Sequence, residues 1–407
     1  MSCLPATIFP STSSLRRSLH TTPFHKLRND AFICHQKKNE KQVSLCLALP
    51  FDLSPPPIDY IDPLETMTVV ESEDVTENTL DNDDEALEAV DNGVAVVDLS
   101  NYGRIRVSGE DRIQFLHNQT TANFECLSEG QGCDTVFVTP TARTIDISHA
   151  WIMKNAVILV VSPATCGGIT EMLQKYIFFA DKVEIQDITN QTSMFALLGP
   201  KSSKVCVLVM EDLNIPDLVG QPYGSHKHYS VGGMPLTVAV GSIVSEEGFT
   251  FMMSPAAAGS VWKALLGQGS IPVSSSAWET LRILRGRPAP GKELTDEFNV
   301  LEAGCYKGQE TISRLVTYDG IKQRLWGIRL SSPMEPGSRI TVDGKKVGRL
   351  TSSTTGAKAS EPFGLGYIKR KTASEGDSVT VGESVIGTLV EVPFLKEQFP
   401  PSKGFAK

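Results

Sequence analysis

From Gly93 onward, apolar residues alternate with polar ones or form short unbroken runs, punctuated by Gly, Pro, Ser and Asp. Alternation at a period of two, and apolar runs of four to eight bounded by turn residues, predict strands. Strands are expected over residues 94–99, 104–107, 135–138, 144–152 and 157–161, then over 182–187, 193–198, 227–231, 236–240 and 249–253. Residues 109–119 place Ile113 and Leu116 three apart and predict a helix. Ser162-Pro163 and Ser254-Pro255 pair a favoured N-cap with proline at the first helical position, which predicts helices over 163–177 and 255–266. Strands in such groups around helices imply a mixed α+β fold of split β-α-β-β units. After Gly320 strands follow at short intervals, over 323–330, 338–342, 346–352, 364–370, 378–381 and 384–391. Asp343-Gly344 makes a two-residue hairpin turn there, and a small antiparallel barrel fits.

Before Gly93 the pattern is lost, and charge describes the chain better. Residues 1–50 hold seven Lys/Arg, only Asp30 and Glu40 as acids, and much Ser and Thr, without an apolar core ahead of a small-residue cleavage site. This is the composition of an organellar transit peptide rather than a secretory signal, with the chloroplast stroma as the expected destination, the mitochondrion as the alternative, and a retained, disordered N-terminus as the plainer one. Residues 51–91 hold 14 acids and no Lys or Arg, with Pro55-Pro56-Pro57, and are expected to be an unstructured acidic linker, with order starting at Gly93. Residues 92–407 then carry 31 acids and 31 Lys/Arg, from totals of 47 and 38. A balanced body offers no footprint for a nucleic-acid backbone, so no nucleic-acid partner is expected. No apolar run approaches the roughly 18–20 residues of a bilayer span, so no membrane insertion is expected either. The eight cysteines include no Cys-x-x-Cys pair and read as mostly reduced, buried thiols. The chain thus divides into residues 1–50, 51–91, 92–320 and 321–395.

Phosphate-loop, Gly-x-Gly-x-x-Gly, Gly-x-Ser-x-Gly and His-Glu-x-x-His motifs are all missing, which removes nucleotide hydrolysis, serine hydrolysis and zinc proteolysis. His226 and His228 fall on one face of a strand, but two ligands do not complete a metal site, and no metal is expected. The segment Gly304-Cys305-Tyr306-Lys307-Gly308-Gln309-Glu310 is richer. A helix beginning near Gly308 would put Cys305 beside its N-terminus, with Lys307 adding positive charge, and both favour a thiolate. Glu310 and Arg314 stand four apart, and Gln309 offers an amide to a ligand or a neighbouring backbone. A turn with a buried Cys305, a core Tyr306 and a surface ion pair would carry the same residues.

Gly304 to Arg314 resembles the signature K-G-C-Y-x-G-Q-E-x-x-x-R of the YgfZ-type folate-binding proteins, relatives of the glycine-cleavage T-protein, with seven of eight fixed positions present. Arg104-x-x-x-x-Ser108-Gly109-Glu110-Asp111, Leu198-Gly199-Pro200, Glu246-Glu247-Gly248-Phe249 and Gln323-Arg324-Leu325-Trp326-Gly327 share the resemblance in the same order. It implies a ring of two ferredoxin-like lobes and a C-terminal β-barrel, with tetrahydrofolate or a one-carbon derivative as cofactor. It implies a monomeric accessory factor for iron-sulfur client enzymes or cluster-assembly proteins, with Cys305 as a reactive thiol; folate-dependent aminomethyl transfer is the rival activity. One cysteine does not hold a cluster, so Cys305 is expected to act by transient contact or redox chemistry. The resemblance further makes Glu246 the pterin's carboxylate partner and brings Arg282 near the folate's anionic tail; a solvated turn at Glu246 and an i, i+3 pair of Arg282 with Glu279 are the plainer readings. Asp146 lies where T-proteins carry the acid that promotes methylene transfer, in a differing local pattern. Leu301-Glu302-Ala303-Gly304 runs directly into Cys305, where the family places a further strand and a Lys-Gly pair. We therefore expect a splice or gene boundary there; a uniform short transcript on sequencing would instead make the deletion a true feature.

Overall fold

The computed structural model describes residues 75–141, 143–210, 218–296, 322–355, 361–370 and 372–393. The transit segment and the Gly304 to Arg314 signature, with Cys305, Tyr306, Gly308, Gln309 and Glu310, lie outside the described residues.

The first helix corrects an expectation. The acidic run is not unstructured to residue 91: α1 spans Val75–Asn92, and Ala86, Ala89 and Val90 are buried. Average composition hid an apolar stripe at helical spacing whose burial offsets the ordering cost, while Glu85, Glu88 and Asp91 stand on the wetter side. Ser274 and Ser276 both donate to Asp83, tying the helix to residues beyond the lobes.

After β1 (Ala95–Asp98) the chain builds one lobe from β2 (Gly103–Ser108), α2 (Arg112–Gln119), β3 (Gly132–Val138), β4 (Thr144–Ile152), β5 (Ala156–Val161), α3 (Cys166–Lys175) and β6 (Glu184–Asp187). Its sheet runs β3-β4-β5-β2-β6, the ferredoxin-like order of a split β-α-β-β-α-β unit with β3 added at an edge. The second lobe uses β7 (Ser193–Leu198), α4 (Ser202–Val209), β8 (His226–Val231), β9 (Met234–Ser242), β10 (Ser245–Met253), α5 (Pro255–Gly267) and β11 (Ile271–Pro272). Its order is β11-β1-β7-β10-β9-β8, the same plan with β1 inserted beside β11 and β8 added outside.

Strand alternation sorts the side chains into layers. In the first lobe Ile105, Val107, Phe137 and Leu159 pack on α2 and α3; in the second, Val96, Leu197, Val238 and Phe251 pack on α4 and α5. The opposite faces meet each other, with Val97, Val160, Ala196 and Ile243 in one cluster and Trp151, Ile158, Ala239 and Met252 in another. The lobes therefore stack helices, sheet, sheet, helices, and each fully buried Leu, Ile or Phe contributes about 1.5–3 kcal/mol. Helix α6 (Ser275–Arg285) then leads toward β12 (Gln323–Leu330), β13 (Arg339–Val342), β14 (Lys345–Ser353), β15 (Phe363–Lys369), β16 (Ser378–Val381) and β17 (Val385–Val390), which close an antiparallel barrel. Asp343 and Gly344, at φ of 49° and 74°, turn β13 into β14 as their types require.

Candidate functional site

Helix α6 is held by both of its ends: the Ser274 hydroxyl accepts from Ala277 N at 3.0 Å, and Gly286 closes it in the left-handed region. This fixes Arg282 at the junction of lobes and barrel. Its Nε and Nη2 donate to the two oxygens of Glu279 (2.8 and 2.7 Å), Nη1 to Glu293 (3.0 Å) and the Arg287 carbonyl, and Nη2 also to Ser352 (3.0 Å). All five donors are thereby used within the protein, and Arg282 makes the i, i+3 ion pair with Glu279. Glu293, fully buried, is equally complete: one oxygen accepts from Ser352 (2.6 Å) and Thr351 (2.7 Å), the other from Arg282 and Ala289 N (3.1 Å). Burial alone would weaken the Arg282 cation, but Glu279 and Glu293 make it hold its proton more tightly than usual.

A second polar network lies between the two sheets. Cross-strand register sets Asp134 of β3 opposite His149 of β4, and alternation turns both, with Trp151, toward the second lobe. Asp134 Oδ1 lies 2.7 Å from His149 Nδ1 and accepts from the Tyr223 hydroxyl at 2.9 Å. The ring of His149 packs at 4.9 Å from Tyr223 and 5.7 Å from Trp151, and Trp151 at 6.0 Å from His226. Burial would raise the Asp134 pKa, yet the His149 bond and charge, Arg287 and Tyr223 hold it below the usual carboxylate range. Burial and the Asp134 charge push Tyr223 well above a free phenol, and burial holds His226 below a free imidazole. Arg287 spans the seam, donating to the Ile243 carbonyl of the second lobe and, at 2.7 Å, to the Ile147 carbonyl of the first.

This network is incomplete. Asp134 Oδ2 and Trp151 Nε1 are buried and have no hydrogen-bond partner, one an acceptor and the other a donor, and both residues neighbour His149. An orphaned buried polar group costs about 1–3 kcal/mol unless something satisfies it. Near His226 the lobes border a cavity of about 820 Å³, lined also by Gly130, Gln131, Pro222, Ser225 and His228.

The other residues expected at the site fall on both sides of this picture. Asp146 points to the helical face of its sheet, where its oxygens accept from Ser162 N (2.7 Å), Ser162 Oγ (2.8 Å), Thr165 Oγ1 (2.5 Å) and Ile147 N (2.8 Å). It holds the turn into α3, and burial raises its pKa despite those bonds. Glu246 is exposed on the bulged start of β10, beyond a hairpin tip whose Ile243 and Val244 are buried. It stands at the end of the seam: Gly241, at φ +85°, lets the Tyr223 ring lie where a Cβ would be 2.3 Å away, with the Glu246 carbonyl 3.1 Å from the same point. The Glu246 charge contributes to the raised Tyr223 pKa. The Glu246 charge thus reaches Tyr223 of the Asp134 network, whereas the Asp146 carboxylate is bonded at the start of α3 and Arg282 meets the network only at the Arg287 carbonyl. His226 and His228 meet edge to face at 5.8 Å, and among the described residues no group of three His, Cys, Asp or Glu side chains suits a metal.

Asp134, His149, Tyr223 and Arg287 were missed by sequence reasoning. The one available signal was polarity at or inside an apolar strand, His149 interrupting a run that otherwise reads as core and Asp134 standing just before one.

The chain matches the profile of the GCVT N-terminal domain over residues 59–307 and that of the glycine cleavage T-protein C-terminal barrel domain over residues 323–399. It is 66% identical over 368 residues to a protein of Arabidopsis thaliana named provisionally as a chloroplastic transferase, covering 87% of this chain and 84% of the relative. Identity to the aminomethyltransferase of Picosynechococcus sp. is 25% over 325 residues, covering 76% of this chain and 88% of that enzyme. The structure superposes on the glycine cleavage system aminomethyltransferase T of Bartonella henselae with a TM-score of 0.67 at 17% identity, covering 77% of this chain and 89% of that one.

Proposed function

The chain belongs to the glycine-cleavage T-protein family, and from that premise we propose that it binds a reduced folate in the chloroplast stroma and serves there as an accessory factor for iron-sulfur proteins. The observation that carries folate binding is the pair of orphaned buried groups. Asp134 Oδ2 offers an acceptor and Trp151 Nε1 a donor, beside the His149 and Tyr223 rings, which is the chemistry that an aminopterin's alternating N–H groups and ring acceptors would satisfy. Glu246 at the end of the seam supplies a second carboxylate, and tetrahydrofolate, when bound, is a carrier for a one-carbon unit. The chloroplast location rests on the name of the Arabidopsis relative and on the leader's composition. The iron-sulfur role rests on the resemblance of the Cys305 signature to the YgfZ-type proteins.

Aminomethyl transfer is a second reading, favoured by the aminomethyltransferases among the relatives. Against it, the carboxylate in the segment expected to promote transfer, Asp146, faces the helices with both oxygens occupied. The test combines a titration of the full chain with tetrahydrofolate, a turnover assay with methylene-tetrahydrofolate and candidate amines, and complementation of cells lacking such an accessory factor. Binding without turnover, together with restored iron-sulfur enzyme activity that a Cys305→Ala variant fails to restore, is expected. Amine-dependent turnover would establish the transferase instead, and no folate binding would refute both.

A further inference from the structure

The barrel carries a cluster of charge that the folate reading does not use. Arg339 on β13 and Arg349 on β14 are directly opposed in the antiparallel register, and both are exposed. Lys346 follows on β14, next to a register shift, and Lys369 on β15 stands opposite Gln323 of β12. These five side chains line a hollow of about 400 Å³, and no carboxylate lines it among the described residues. In residues 92–407, where acids and bases are equal in number, four cations around one hollow are a local excess. Gly337 and Gly348 also line it, so part of its wall is backbone. Arg349 is shared with a neighbouring cavity of about 520 Å³ that reaches Lys292 and Asp296 at the lobe–barrel junction.

We infer that this groove is a binding site for a small polyanion, a molecule carrying several phosphates or several carboxylates. Planar guanidinium groups match either anion through paired N–H donors, lysines add point charge, and Gln323 offers an amide for the neutral parts between the charges. The volume suits a small molecule rather than a single ion. Nothing in this inference depends on folate occupying the seam.

The test titrates the full chain with inorganic triphosphate and, separately, with a short oligo-glutamate, in low and in physiological salt. The same titrations are run on Arg339→Gln/Lys346→Gln and on Lys369→Gln. Saturable binding of at least one probe is expected, weakened by salt and by about tenfold or more in the double variant. Binding of triphosphate alone assigns the site to phosphates; binding of oligo-glutamate alone assigns it to carboxylates. The thermal midpoint of each variant is measured alongside, and a midpoint equal to wild type shows that weaker binding does not reflect unfolding. A monoglutamyl folate should titrate identically into wild type and variants, which keeps this site's failure separate from that of the seam. No saturation by either probe below about 10 mM in low salt, or equal affinity in the variants, would overturn the inference.

Discussion

Glu293 and Asp134 are both carboxylates buried within the fold, and they are treated oppositely. Glu293 has each oxygen filled twice, by Ser352, Thr351, Arg282 and the Ala289 amide, and its network joins the lobes to the barrel. Asp134 has one oxygen engaged by His149 and Tyr223 and the other without a partner. A completed buried network specifies structure, whereas one that leaves a buried acceptor and a buried donor unsatisfied costs the fold stability. The contrast also separates two residues that the family resemblance brings toward folate, because Arg282 belongs to the closed network while the Glu246 charge reaches Tyr223 of the open one.

The largest expected effect tests the closed side. Arg282→Leu leaves Glu293 buried without its cation and should cost about 3–5 kcal/mol in urea unfolding, with the lobe–barrel junction loosened. A loss of less than about 1 kcal/mol would mean that the junction does not depend on this pair. On the open side, Asp134→Asn keeps an oxygen for Tyr223 but replaces the orphaned acceptor with a donor. It should cost about 1 kcal/mol of stability and yet weaken tetrahydrofolate binding about tenfold or more, read by titration. If stability fell while affinity held, the seam would be structural like the junction.

The smallest effect concerns pH. His226 is held below the ordinary imidazole range by burial, so in the window between its folded pKa and the unfolded value near 6.5 the unfolded chain binds more protons. Stability should therefore rise with pH through that window and be fully gained above it. His226→Gln should flatten the profile of unfolding free energy below the unfolded value near 6.5, relative to wild type. An unchanged profile would remove His226 as its source.

The strands were readable along the chain because their alternation is local: β4, from Thr144 to Ile152, is bounded as its hydrophobic pattern implies. Helix α4 was not, since Ser202–Val209 reads as a β-branched apolar run and becomes helical where it packs on α5 and the sheet beside it. In α6 the cap signals at Ser274 and Gly286 were present but unused. The open network was hidden for a different reason. Asp134, His149, Tyr223 and Arg287 come from four separate segments, and only strand register and the packing of two sheets bring them within hydrogen-bond reach. Residue types that form a motif in sequence, such as those around Cys305, are readable; those that form one only in space are not.

The placement of β1 bears on how the protein is made. Pairing with β7 and β11, this strand belongs to the second lobe, although the whole first lobe, Gly103 to Asp187, lies between it and β7. The first lobe is thus an insertion within the second. As the chain emerges N-terminus first from a ribosome or a translocation pore, the inserted lobe has all of its strands once Asp187 is out, while β1 must wait for partners as late as Pro272. The lobe with the longer-range pairings closes last, and the polar seam between the sheets is assembled only when it does.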